Sequence, residues 1–315
     1  MSEPPLASRR HAVGELQYQA GGRLAAALVL TLALVITEAL GGVLANSLAL
    51  LTDAAHNLTD VIALGLSWYA VRLTGQPSNS QKTYGYHRAG ILAALVNSTT
   101  LVLIALGVFY EAYRRLLAPP VVRSQVLIIV GLAAVGVNLV TALMVRRGSA
   151  NDLNLRSAFL HLMGDVASTV GAVIAGIIIY FTKYNWLDPL VSVLIGFVII
   201  YSAWGILQET IEILLESTPH DIDMRAMVGE IMLVDGVLGV HDLHVWSLTR
   251  NLRTMSAHIL TEDISISQGA EIQRKVNEIV AQRYHIAHAT LQLECVGCEP
   301  DALYCDLQGD IHAKV

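Results

Sequence analysis

Six long apolar stretches, at about residues 24–45, 48–73, 89–113, 125–145, 157–181 and 187–207, set what this chain can fold into. Each is long enough to cross a hydrocarbon core of ~30 Å as a helix rising 1.5 Å per residue. A bilayer offers the backbone no hydrogen-bonding solvent, so stretches of this kind are read as transmembrane helices. Composition agrees. Only 15% of the 315 residues are charged and the mean hydropathy is +0.54, whereas a soluble domain carries roughly a quarter charged residues. After Leu207 the composition becomes that of an ordinary soluble domain. The sequence therefore divides into an N-terminal segment (1–23), a six-helix membrane domain (24–207), a soluble domain (208–294) and a Cys-containing tail (295–315).

Charge is distributed unevenly between these parts. Residues 1–206 hold 13 Lys and Arg against 9 Asp and Glu, and residues 207–315 hold 7 against 17. A soluble part at net −10 excludes nucleic acid as a partner and is compatible with cations, although solubility alone is the commoner reason for such a balance. Basic residues near the helix ends give the orientation. With both termini inside, the inner segments carry nine Lys and Arg, among them Arg72, Lys82, Arg88 and Arg156, and the outer ones carry Arg114, Arg115, Arg123 and Lys183. The expectation is a cytoplasmic N-terminus, an even number of spans and a cytoplasmic soluble domain, with no cleaved signal peptide. A bacterial inner membrane is the first expectation and an internal eukaryotic membrane the second.

The second span contains "LLTDAAHNLTDVIAL". His56 and Asp60 are four residues apart and share one helix face, with Asp53 close to it. The fifth span contains "LHLMGDVAS", where His161 and Asp165 repeat the spacing, and no other span has it. An ionised Asp at bilayer depth costs several kcal/mol unless it is paired or hydrated. Two imidazoles and two carboxylates converging on one divalent cation resolve that cost, and they match tetrahedral zinc chemistry. A single HxxxD is more often a helix-packing or water-facing pair than a metal site; two matched copies reverse that weighting. Ser157, Ser168, Asn97 and Asn138 are read as helix-packing polar residues, and Glu38 and Asp53 as lining a hydrated path. Neither HExxH nor GxxxxGK[ST] is present, so neither the usual zinc-protease helix nor a nucleotide loop is expected. Transport would then be driven by an ion gradient, with protons exchanged for metal.

In the soluble part the pattern reads helix (221–234), strand (238–248), strand (254–262), helix (267–283, capped by Ser267), strand (288–294), a small α+β sheet covered by helices. His241 and His258 lie on adjacent strands and, with Glu294, can face a common partner. His288 is a candidate fourth ligand, and strand alternation puts His244 on the opposite face from His241. A surface His is usually only solvated. The tail "CVGCEPDALYC" holds Cys295, Cys298 and Cys305. A thiolate metal site, completed by His11, His312 or a partner subunit, and a redox pair or inert thiols are equally open readings.

With both HxxxD helices in hand, the chain resembles the cation diffusion facilitator family, in particular its zinc-transporting members, over residues 24–294. The resemblance rests on "SLALLTDAAHNLTD" (47–60), "YGYHRAGILAAL" (84–95), "SAFLHLMGDVAS" (157–168), "LLES.P" (214–219) and "VHDLHVWSLT" (240–249). It implies a homodimer in the lipid bilayer, six helices per subunit, a ferredoxin-like cytoplasmic domain, and Zn2+ efflux with proton antiport by alternating access. By position it makes His56, Asp60, His161 and Asp165 the transport ligands, and matches His241, His258 and Glu294 to a cytoplasmic metal site, where zinc is expected to act as a regulatory ion. It also implies that Arg88 joins a charge interlock, with Glu209 or Glu212 as partner. Two departures stand out: "PSNSQKTYGYHR" lacks the Asp and His of a metal site found there in some members, leaving His87 as interfacial, and "RRGSANDLNLRS" lacks the His-rich loop of many zinc members. The rival functions are a membrane metal sensor without transport, which would carry an added signalling domain, and an intramembrane hydrolase, which would need an open zinc position beside a general base.

Overall fold

The computed structural model describes residues 28–146 and 153–295. Cys298 and Cys305, with His11 and His312, lie outside the described residues, as does the side chain of Ser157. The chain forms two compact units. One takes the chain up to Tyr69 together with Val96–Leu207; the other takes Ala70–Leu95 together with the chain from Gln208 onward.

The first unit is built from helices α1 (Leu28–Ala45), α2 (Leu48–Thr74), α3 (Ala89–Leu117), α4 (Ser124–Arg146), α5 (Leu153–Thr182) and α6 (Leu187–Leu214), the far ends of α2 and α6 and the start of α3 belonging to the second. Among the described residues, five of these are long and apolar enough to span a membrane. The other, α2, matches them in length at 27 residues but is less apolar, because Asp53, His56, Asn57 and Asp60 occupy its middle. Large apolar side chains such as Phe181 and Tyr201 stand on the outside, where a lipid-facing surface needs them. Inside, small residues let helices approach. A Cβ added at Gly131 would stand 2.6 Å from Val173, and one at Gly176 would stand 2.3 Å from Leu127, so α4 and α5 pack with backbone against side chain. A second apolar layer joins α3 to α6 through Leu101, Ala105, Ile195, Ile199 and Ala203.

One end of this unit is tied by polar contacts. Asn46, at φ 55°, makes the turn between α1 and α2. Its carbonyl accepts from Arg115 Nη1 at 2.9 Å, and the Ala45 carbonyl accepts from the Arg123 amide at 2.8 Å. Asp188, in the first turn of α6, caps a helix other than its own. It accepts from the Ser47 hydroxyl at 2.5 Å and from the Leu48 and Ala49 amides at 2.6 and 3.4 Å. Those are the unsatisfied donors at the start of α2, and Asp188 is fully buried. The clamp fixes the axial position of α2, and hence of the side chains two to three turns along it.

In the second unit, α7 (Met224–Met232) is followed by β1 (Gly239–Thr249), β2 (Leu252–Thr261), α8 (Ile266–Tyr284) and β3 (Ile286–Cys295). The sheet order is β1-β2-β3, with β1 antiparallel and β3 parallel to β2. Met227, Ile231, Leu243, Val245, Met255, Ile259, Ile272, Val276 and Val280 form its core. The cap of α8 is Ser265 rather than Ser267: Ser265 and Gln268 form a reciprocal capping box, and only the residue three before Gln268 can do so. Arg253, at the start of β2, holds Asp221 through two bonds of 2.8 and 2.9 Å, which keeps that carboxyl below the usual carboxylate range. Arg88 pairs with Glu216 at 2.9 Å, not with Glu209 or Glu212. Glu209 is taken by Arg250 and Glu212 by His220 at 2.8 Å.

Candidate metal centre

Helix spacing delivers the first cluster. His56 and Asp60 stand one turn apart on α2, and His161 and Asp165 stand one turn apart on α5. The structure brings all four together. His161 Nε2 lies 3.1 Å from Asp60 Oδ2 and 4.0 Å from Asp165 Oδ2. His56 Nε2 lies 3.5 Å from Asp165 Oδ1 and 3.7 Å from Asp60 Oδ2. The two imidazole rings meet edge to face with centroids 5.6 Å apart. Ligands bound at about 2.0–2.1 Å in a tetrahedron stand roughly 3.3 Å from one another. The four His–Asp distances lie near that spacing; His56, His161 and Asp165 offer ligand atoms all within 4.8 Å of one another, while Asp60 is near both imidazoles but outside that set. His56 and Asp165 are buried, while Asp60 and His161 are more open. The open pair faces a cavity of about 330 Å3, lined also by Asn57, Leu64, Ser67, Asn138 and Leu28.

Behind the ligands is a polar layer that sequence reading assigned differently. Glu38 and Asp53 are 0% and 1% exposed, and neither lines the cavity; they are sealed in rather than placed along a hydrated path. Asn57 Nδ2 donates to Glu38 Oε2 at 3.0 Å. The Thr169 and Ser168 hydroxyls approach Asp53 at 2.8 and 3.4 Å, so Ser168 serves this layer as well as helix packing. Asn138 Nδ2 reaches Thr169 at 3.4 Å.

The second cluster depends on the sheet. His241 and His258 are directly paired across β1 and β2, with ring centroids 5.2 Å apart. Glu294 spans both: Oε2 is 3.0 Å from His241 Nε2 and Oε1 is 3.0 Å from His258 Nδ1. Gln292 Nε2 donates to Glu294 at 2.7 Å. Two expectations need correction. His288 is not brought here: it pairs with Thr254 while Glu294 pairs with Leu260, which sets them six positions apart, about 20 Å along a strand. It packs instead against Tyr84, with centroids 6.3 Å apart. His244 is on the same face as His241, not the opposite one. A bulge lies between them, so His241 pairs with His258 and His244 with Ser256, and the extra residue cancels the alternation. Asp242 sits in that bulge at φ 49°, 3.4 Å from His258 Nε2 and 3.1 Å from His244 Nε2. Sequence reading missed Asp242; its place beside two strand histidines was the available signal. Cys295 ends β3 as an exposed free thiol.

A family model described as the cation efflux transmembrane domain matches residues 24–215, and one described as the cation efflux protein cytoplasmic domain matches residues 219–296. The chain belongs to the cation diffusion facilitator family. Its relatives place it in the zinc-transporting branch. It is 38% identical over 262 residues to the "Cadmium, cobalt and zinc/H(+)-K(+) antiporter" of Bacillus subtilis, covering 82% of this chain and 84% of that protein. It is 35% identical to "Zinc transporter ZitB" of Pectobacterium atrosepticum, with 92% and 90% covered. It is also 35% identical to the "Metal cation efflux system protein CzcD" of Cupriavidus metallidurans, with 87% and 86% covered. Like them it is a multi-pass integral membrane protein of a cation efflux family, a transporter rather than an enzyme in the usual sense.

Proposed function

We propose that this protein carries Zn2+ out of the cytosol in exchange for protons, alternating access to the site formed by His56, Asp60, His161 and Asp165. The observation that carries the reading is the convergence of two imidazoles and two carboxylates from α2 and α5, each imidazole Nε2 lying 3.1–4.0 Å from both carboxyl groups. Two carboxylates neutralise a 2+ ion, and four N and O ligands leave no open position for a hydrolytic water. An imidazole binds metal only when neutral, so metal and proton compete for the same nitrogens, and that competition couples their movements.

The cavity supports a direction. Its lining runs from the ligands to Leu28 on α1 and to Leu64 and Ser67 along α2, toward the end that the basic residues assign to the cytosol. The other end of α2 is closed by the Asp188 clamp. This arrangement suits an inward-facing state receiving its substrate. We place the protein in a bacterial cell membrane as a homodimer with both termini cytoplasmic, and treat residues 24–207 as the transport domain and 208–294 as the cytoplasmic domain. His241, His258 and Glu294 form a second zinc site there, off the transport path. The C-terminal part carries net −10, so a 2+ ion bound in each domain reduces repulsion between two copies and favours their approach. Cys295, with Cys298 and Cys305, is proposed as an auxiliary thiolate donor.

Reconstitution into liposomes holding a zinc-sensitive dye tests the reading. Zinc should enter, and an imposed pH gradient should accelerate entry in one direction and slow it in the other. Zinc binding without flux would favour a metal sensor, and flux indifferent to the gradient would rule out antiport.

A further inference from the structure

The polar layer behind the transport ligands is not needed to hold a metal, yet it contains two acids with almost no access to solvent. Glu38 is 0% and Asp53 1% exposed. Two ionised carboxylates side by side at this depth, with no cation between them, would combine full desolvation with like-charge repulsion. Their partners differ. Asp53 has the Thr169 hydroxyl at 2.8 Å on Oδ2 and the Ser168 hydroxyl at 3.4 Å on Oδ1, and both hydroxyls share their hydrogens with the Asp165 main-chain oxygen at 2.7 and 2.9 Å. Glu38 has one amide donor, Asn57, on Oε2, and its Oε1 is buried without any partner. Asn57, which holds Glu38, stands one helical turn from Asp53 on α2. A fully buried carboxylate oxygen that no donor reaches favours the protonated acid, and Glu38 Oε1 is such an oxygen.

The geometry points to Glu38 and Asp53 as a second ion site, holding one proton on Glu38 when no metal is bound. The pair lies beside the transport site without sharing its ligands. Asp53 is three residues from His56, a rise of about 4.5 Å along α2, and the other titratable groups acting on the pair are Asp165 of α5 and His56 of α2. Thr169 connects the layers, since its one hydroxyl hydrogen faces both Asp53 Oδ2 at 2.8 Å and the Asp165 main-chain oxygen at 2.7 Å. When a divalent cation reaches the four ligands, its field favours ionisation of the pair. The Glu38 O–H bond breaks, the proton passes to water in the cavity that Asn57, the partner of Glu38, also lines, and two carboxylates remain; when the metal leaves, a proton returns by the same route. The pair thus supplies a counter-moving proton additional to those displaced from the imidazoles. This inference rests on the antiport reading and names the acid that contributes to it.

The test is the zinc-induced infrared difference spectrum of the full-length protein in lipid at neutral pH. A protonated-carboxyl C=O band of a buried acid is expected in the metal-free protein and should be lost on adding zinc. Glu38→Gln should remove it. In the unmutated protein, 13C labelling of glutamate carboxyls should shift it to lower frequency, and among the described residues Glu38 is the one fully buried glutamate. The label decides the matter even where Glu38→Gln fails to fold. Absence of the band in the wild type, its persistence in Glu38→Gln, or its indifference to the label would overturn the assignment. Zinc flux indifferent to a pH gradient would instead defeat the antiport reading, while the band would still report whether the pair holds a proton.

Discussion

The two histidine–carboxylate clusters use nearly the same chemistry on different scaffolds. In the membrane unit, each helix contributes one His and one Asp a turn apart, and each cross-helix distance from a His Nε2 to an Asp oxygen of the other helix is 3.1 or 3.5 Å. In the C-terminal unit, three strands contribute one side chain each, and a bulge decides which neighbours join them. The helix site is local: the 3.6-residue period places its ligands in pairs, and only the packing of α2 on α5 remains to be supplied. The sheet site is nonlocal, because its composition changes with register. The environments differ as well. Asp165 keeps 8% of its side-chain surface exposed, whereas His258 and Asp242 keep about 30%, where water can solvate them.

That contrast breaks first at the membrane ligands. Asp60→Ala or Asp165→Ala should reduce zinc flux to background while the dimer persists in detergent. Loss of even an indirect supporting group costs about 10–100-fold in metal sites, and loss of a direct, charge-neutralising ligand costs more. Wild-type flux at saturating zinc would place the transport path elsewhere. Next comes the clamp. Asp188→Ala leaves the first amides of α2 without their acceptor and should cost roughly 2–3 kcal/mol of stability, read as a lower thermal midpoint together with slower transport. An unchanged midpoint would mean that water replaces the carboxylate. A subtler change is His56→Asp, which exchanges a nitrogen ligand for an oxygen and adds charge to a compact site. It should raise cadmium flux relative to zinc, and an unaltered ratio would assign selectivity to another region. The mildest effect is expected at the sheet. His241→Ala with His258→Ala should raise the zinc concentration needed for half-maximal flux without abolishing it, and Cys295→Ser, Cys298→Ser and Cys305→Ser together should do less. Complete loss of flux in the histidine variant would make the sheet site part of the path.

What the sequence made legible follows the same division. The helix order, the αββαβ pattern and the pairing of His56 and Asp60 with His161 and Asp165 were readable because each rests on a short periodic signal. His241, His258 and Glu294 were readable in part through strand alternation. The bulge at Asp242 was not, because nothing in "VHDLHVW" forces one residue to be left over in the pairing; it moved His244 to the other face. His288 was misplaced because the parallel register of β3 against β2 is fixed by core packing of Ile286, Leu291 and Leu293, not by the histidine. Partners distant in sequence were the hardest to read. Asp188 meets Leu48 across 140 residues, and Arg88 finds Glu216 across 128, ahead of two nearer-looking glutamates that other groups had already engaged. Glu38 and Asp53 looked like path-lining acids because sequence shows depth in the membrane but not which side of a helix is closed.

The central claim is that two HxxxD helices form one metal site. It is tested most directly by zinc X-ray absorption on protein in which the competing donors are removed, by His241→Ala, His258→Ala and serine at Cys295, Cys298 and Cys305. One bound zinc per subunit, with about four N and O neighbours near ~2.0 Å and imidazole scattering from two histidines, is the predicted spectrum. No bound zinc, a six-oxygen shell, or scattering from fewer than two imidazoles would contradict it.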